Sequence, residues 1–127
     1  MEISTTLRNI LEIGFGLLYL IGGVFNAVYT FRYGKEFFGS FAENTWFIPG
    51  KWFITKFVLP TPRIFTITLI LFQLLVAIAI LSRGPFVAAG LLAGVVFSLY
   101  AVFVSNICGA IVNIGLALIQ FYLVSLR

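Results

Sequence analysis

The chain has 127 residues, of which 61% are hydrophobic and only 9% are charged, and its formal net charge is +4. Soluble domains carry about 45–50% apolar and about 25% charged residues, so this composition excludes an ordinary soluble domain and predicts an integral membrane protein. The chain contains no histidine and a single cysteine, Cys108, which excludes imidazole metal sites, CxxC redox chemistry and an intrachain disulfide. We therefore expect little covalent chemistry and no metal site.

The first predicted element is a retained membrane-spanning helix over residues 10–31. The start of the chain, "MEISTTLRNILE", carries two carboxylates and one arginine, where a cleaved signal peptide has a basic segment. The apolar stretch that follows ends at Arg32. It has the length of one bilayer crossing, about 20 mainly apolar residues.

Residues 32–63 form the only sizeable predicted loop, and its aromatic residues alternate with Lys, Glu and Asn. Such a segment is too polar to cross the bilayer and too aromatic for water, which predicts an interfacial position. Pro49-Gly50 is expected to break it into two short pieces. Trp46 and Trp52 are interpreted either as interfacial anchors or as part of a lid over the mouth of the bundle. The loop holds five of the eight Lys and Arg residues, which predicts a cytoplasmic location.

Three more spanning helices are predicted after the loop. The second helix covers residues 64–82, between prolines on one side and Arg83-Gly84-Pro85 on the other. The apolar run 85–126 is about twice one crossing, so it must fold back, and the turn is predicted within 104–109. The result is an all-α, four-helix transmembrane bundle in one domain, residues 1–127. We expect a multi-pass protein of the cell membrane with both termini on the same side.

The polar residues of the spans are predicted to face inward, because lipid offers no hydrogen-bond partners. Small residues three or four apart on helices three and four, including Gly90 and Gly94, predict that these two faces meet. The polar side chains either only join the helices or also contact a ligand. The candidates for ligand contact are Glu12, Tyr19, Asn26, Gln73, Asn113 and Gln120.

Glu12 is an acidic residue within a predicted span, and an ionisable group there is a functional hypothesis by default. One interpretation is a small proton-coupled transporter that uses this carboxylate. The other is an ion pair with Arg8, which lies four residues earlier on the same helix.

The segments "RNILEIGFGLLYLIGGVFNAVY" and "LFQLLVAIAILSRGPFVAAGLLAGVVF", with an aromatic loop between them, resemble the DoxX-like family of small four-helix membrane proteins. The resemblance covers residues 8 to about 104. The chain departs from the family at Gln73, near which members often carry an acidic residue, and at Asn26, where a basic residue is often found. The resemblance implies a four-helix bundle and, for some members, an accessory role beside quinone or thiol oxidoreductases; others resemble chaperones or trafficking factors.

The leading hypothesis is therefore a non-catalytic membrane subunit, or a binder of a lipophilic ligand such as a quinone or a lipid. Its expected partners are the lipid bilayer and another membrane protein subunit, with no nucleic acid. Two other hypotheses stay open: a proton-coupled transporter built on Glu12, and an assembly or scaffolding protein without a ligand.

Overall fold

The computed structural model describes residues 3–127, and the regular secondary structure of this part of the chain is helical throughout. Two of the helices continue directly into short π-helical segments. The elements in chain order are α1 (Thr5–Phe25) with the π-helical segment Asn26–Thr30, α2 (Gly34–Asn44), α3 (Ile48–Phe53) with the π-helical segment Ile54–Val58, α4 (Pro62–Leu81), α5 (Val87–Val104) and α6 (Ile107–Ser125).

Four of these helices are long and apolar enough to cross a membrane: Thr5–Thr30, Pro62–Leu81, Val87–Val104 and Ile107–Ser125. The predicted all-α bundle with four spans is confirmed, and the chain is a multi-pass integral membrane protein. The turn between α5 and α6 falls inside the predicted range. Asn106 ends this turn as the N-cap of α6, where its side chain accepts a 2.8 Å hydrogen bond from the Gly109 amide.

Polar and apolar residues are distributed as a bilayer requires. The side chains of Glu12, Thr30 and Gln120 are fully buried, whereas Ile21 and Leu75 are about two-thirds exposed on the outside of the bundle. Apolar outer faces suit contact with acyl chains, and buried polar groups find partners that lipid cannot supply. The inward position predicted for the polar residues is confirmed in the first span, where Glu12, Tyr19, Asn26 and Thr30 are all buried.

The spans pack as two close pairs, α1 with α4 and α5 with α6, and α4 against α5 joins the pairs. Glycines allow the close approach. A β-carbon on Gly16 would lie 2.6 Å from Leu81 Cδ2, and one on Gly23 would lie 2.7 Å from Leu74 Cδ2. The expected contact between the small faces of α5 and α6 is only partly correct. Gly94 does lie against Gln120 of α6, but Gly90 lies against Ile80 of α4.

The connection between α1 and α4 is helical, and its break is not where the sequence suggested. The chain leaves helical geometry between α2 and α3, at residues 45–47, whereas Pro49 lies in the first turn of α3. Proline is tolerated there because the first amides of a helix have no intrahelical partner. The next residue, Gly50, must be small. Here α3 lies directly against the Phe103 carbonyl at the end of α5, which leaves no room for a β-carbon.

We predict that Gly94→Ala destabilises the bundle by about 1–3 kcal/mol, the range for overpacking a filled interior. A β-carbon at this position would lie 2.6 Å from the Tyr19 hydroxyl and would also collide with the Gln120 amide. Gly115→Ala is the matched control on α6, since a β-carbon there meets no atom within 4 Å. Thermal unfolding in mild detergent measures both, and equal melting temperatures would contradict the close contact at Gly94.

Candidate ligand-binding cavity

A cavity of about 490 Å³ lies inside the half of the bundle that α2 and α3 cover. Its walls come from α1, α4 and α5, and α6 contributes Asn113. Phe37, Phe38 and Phe41 of α2, with Ile54 and Val58 after α3, close it from the end. The volume falls in the range of about 300–1,000 Å³ that is typical of small-molecule sites. Among the described residues, no charged side chain lines it.

Asn26, Thr30 and Gln73 form a buried hydrogen-bond chain at the wall of this cavity. The Thr30 hydroxyl donates to Asn26 Oδ1 at 2.7 Å, and Asn26 Nδ2 donates to Gln73 Oε1 at 2.5 Å. Gln73 is only 8% exposed, yet in the described chain its Nε2 has no protein acceptor. Because Gln73 lines the cavity, this amide group is an unused donor inside an apolar space.

Asn113 supplies the complementary group. Its Nδ2 donates to the Gly109 carbonyl of its own helix at 2.8 Å. Across residues 3–127, no donor reaches Asn113 Oδ1. Ser105, also in the lining, is occupied, because its hydroxyl donates to the Ala101 carbonyl at 2.6 Å. The cavity therefore offers one free amide donor and one free amide acceptor.

Tyr19 and Gln120 form a separate, closed network away from the cavity. The Tyr19 hydroxyl donates to Gln120 Oε1 at 2.8 Å and also approaches the Gly94 carbonyl at 3.1 Å. Gln120 Nε2 in turn donates to the Ser98 hydroxyl at 3.1 Å. Neither side chain lines the cavity. Their bonds join α1, α5 and α6, which assigns them to helix packing.

Glu12 is also separate from the cavity and carries two ion pairs. Arg83 Nη2 donates to Glu12 Oε1 at 2.8 Å. Arg127 contacts both carboxylate oxygens, with Nε 2.8 Å from Oε2 and Nη2 2.8 Å from Oε1. The ion pair expected with Arg8 is wrong. Glu12 points between the helices, where the α4–α5 turn and the end of α6 meet it, and Arg8 Nε has no hydrogen-bond partner in the described residues.

The backbone of the α4–α5 turn helps to place Arg83. This residue has φ 57°, a left-handed conformation that disfavours side chains other than glycine by roughly 1–2 kcal/mol. A glycine would relieve that strain but would supply no guanidinium for Glu12 and none for Asn9, whose Oδ1 lies 2.7 Å from Arg83 Nη2. Arg127 is the second arginine paired with Glu12, and its hydrogen bonds to the Glu12 carboxylate raise the pKa of Arg127.

Trp46 attaches the covering segment to the bundle, whereas Trp52 packs within that segment, and neither lines the cavity. Trp46 Nε1 donates to the Val102 carbonyl at 2.6 Å, and the Trp46 amide donates to the Ser105 carbonyl at 3.2 Å. Trp52 is 55% exposed and packs edge-on against Phe57. The residues that close the cavity, such as Phe38 and Phe41, were missed as site residues. Their spacing of three is the helical signal that could have found them.

Three of the six residues predicted for ligand contact therefore meet at the cavity, namely Asn26, Gln73 and Asn113. Glu12, Tyr19 and Gln120 lie in contacts between helices. No protein-family model, no curated protein and no solved structure matches the chain. The fold and the cavity define its class as a multi-pass helical membrane protein with a partly open, mostly apolar pocket between its helices.

We predict that Glu12→Gln destabilises the bundle by about 1–3 kcal/mol. Breaking a fully buried ion pair costs about 3–5 kcal/mol, and this value is lower because Arg83 and Arg127 are 31% and 24% exposed. Glu43→Gln is the control, since Glu43 is exposed and forms no ion pair with any residue of 3–127. Melting in detergent is the measurement. If both variants melt together with the parent protein, the ion pairs do not hold the helices.

Proposed function

We propose that this protein is a non-catalytic membrane protein that binds a neutral, lipophilic molecule with a carbonyl group in the cavity, a quinone being the best-fitting class. One observation carries the proposal. Gln73 is only 8% exposed as a residue, and it presents to the cavity of about 490 Å³ an N–H donor that has no acceptor among residues 3–127. A buried donor without an acceptor costs about 1–3 kcal/mol, and a ligand carbonyl removes that penalty.

The lining supports a neutral ligand over an ionic one. Burying an unpaired charge is costly, and within residues 3–127 no lining side chain carries a charge that could pair with an ionic ligand. A quinone ring also suits the aromatic walls, which include Phe38, Phe65 and Phe97. Asn113 Oδ1 is available to a ligand hydroxyl, so a reduced quinone or a lipid with a hydroxyl group also finds a partner.

A role as an accessory subunit accords with this binding. We propose that the protein is of the DoxX-like type, lies in the cell membrane with both termini on one side, and works beside another membrane protein. On this proposal the α2–α3 segment lies at the cytoplasmic interface and closes the cavity from that side. Glu12 gives the transporter hypothesis less support, because both carboxylate oxygens are engaged by guanidinium groups. The hypothesis of a scaffolding protein without a ligand is tested by the quinone titrations, which would exclude it by showing binding.

We predict that Gln73→Leu weakens binding of a short-chain alkyl benzoquinone about two- to tenfold. The range corresponds to the loss of one neutral hydrogen bond, about 0.5–1.5 kcal/mol. Thr68→Val is the control, because Thr68 is exposed on the outer side of α4 and does not line the cavity. Titration calorimetry in micelles measures both, with empty micelles as the partition blank. If Gln73→Leu binds the quinone as tightly as the parent protein does, the quinone binds elsewhere. If the parent protein does not bind the quinone at all, the result favours a scaffolding protein without a ligand.

Filling the cavity separates ligand binding from stability. Ala101 lines the cavity, so Ala101→Phe is predicted to occupy ligand space and to abolish quinone binding while the bundle still folds. Ala89→Phe is the control on the outer face of α5, where Ala89 is exposed, and it should bind like the parent. The same calorimetric titration, with melting curves for both variants, checks this. Undiminished binding by a folded Ala101→Phe protein would contradict the cavity as the site.

A further inference from the structure

A second cleft, of about 260 Å³, lies where the chain leaves α1 and begins α4. It is separate from the ligand cavity and differs in character, because four of its lining residues are charged. Arg32, Lys35 and Arg63 bring three positive charges, and Glu36 brings one negative charge. Two positive charges are therefore in excess within a small volume.

These cations have no anionic partner in the described chain. The ion pairs of residues 3–127 are those of Glu12 with Arg83 and Arg127, at the opposite end of the bundle. No carboxylate of residues 3–127 lies within salt-bridge distance of Arg32, Lys35 or Arg63. Like charges held close together repel each other, and this repulsion is relieved when an anion enters between them. The cleft is thus electrostatically suited to a negatively charged group.

The walls of the cleft are held in place by packing. The Arg63 guanidinium lies over the Phe31 ring, 5.5 Å from its centroid, which restricts the orientation of the charged group. Gly34 lies so close to Pro62 that a β-carbon on the glycine would be 3.0 Å from Pro62 Cβ. This contact brings the start of α2 against the start of α4. The three basic residues therefore border one space at the junction of α1, α2 and α4.

The position of the cleft in the membrane indicates which kind of negatively charged group it suits. It lies between the ends of two membrane spans, Thr5–Thr30 and Pro62–Leu81, which is the depth of the lipid headgroups. Basic pockets beside spanning helices favour acidic lipid headgroups, and arginine pairs with phosphate through two parallel hydrogen bonds. Phe31 and Pro62 add apolar wall beside the charges, which suits a lipid better than free phosphate.

We propose that this cleft binds the phosphate headgroup of an anionic phospholipid through Arg32, Lys35 and Arg63. The site is independent of the neutral ligand in the cavity. Its occupant joins the end of the first span to the start of the second, on the membrane face where α2 and α3 lie.

The test uses the full chain in mixed micelles of phosphatidylglycerol and phosphatidylcholine in equal amounts, followed by quantification of the lipids that copurify. The parent protein is expected to enrich phosphatidylglycerol. Arg32→Gln and Arg63→Gln should each lower the enrichment about fivefold, the effect of one cation near an anionic lipid. Lys51→Gln and Lys56→Gln are controls of equal charge, because both lysines are exposed in the same connection but lie outside the cleft. Equal losses in all four variants would show general surface attraction and overturn the site.

A gain-of-affinity variant guards against loss through misfolding. Glu36→Gln removes the one negative charge of the cleft and should raise phosphatidylglycerol enrichment about fivefold. Glu43→Gln, on the same helix and outside the cleft, should leave it unchanged. Excess inorganic phosphate is added in a parallel sample. Retained phosphatidylglycerol supports a lipid site, whereas complete displacement by inorganic phosphate overturns the lipid proposal in favour of a free-phosphate site.

Discussion

A bilayer supplies no hydrogen-bond partners, so each polar side chain of a span must find its partner inside the protein. In this chain the requirement is met by bonds between helices. Tyr19 joins Gln120, Asn26 joins Gln73, and Glu12 joins two arginines. Each bond fixes which helix faces meet, and the glycines beside the contacts let the backbones approach. The positions of the α-helices follow from these few polar pairs more than from apolar burial, which does not distinguish the interior from lipid.

The polar pairs divide the bundle into a closed half and an open half. Toward the chain termini, the Glu12 ion pairs and the Tyr19–Gln120 network link α1 to α6, although backbone packing between these two helices is sparse. Toward α2 and α3, the described hydrogen bond of the Asn113 side chain stays within its own helix, and the cavity lies between the helices. Polar bonds between helices are thus concentrated at one end, and the space lies at the other end, where the Gln73 donor has no acceptor in the described chain.

Much of the fold can be predicted from the sequence, because a helix in lipid must turn one face inward. The four spans and the buried face of α1, from Glu12 to Thr30, follow from this rule alone. Partner choice does not follow from it. Arg8 is nearest to Glu12 along the chain, yet Arg83 and Arg127 are its partners because the helix ends that carry them meet there. For the same reason, the sequence pattern does not predict that Gln73 and Gln120 lie in different sites. Their separation depends on how each helix is rotated relative to its neighbours, and the spacing of residues along one helix does not determine that rotation.

If the open half of the bundle holds a neutral lipophilic molecule, native mass spectrometry of the parent protein released from mild detergent should show a single stoichiometric adduct. This adduct should be extractable into organic solvent as a neutral carbonyl compound, and added short-chain benzoquinone should replace it one for one. Phospholipid adducts alone, with no neutral species and no uptake of the benzoquinone, would contradict the proposed binding.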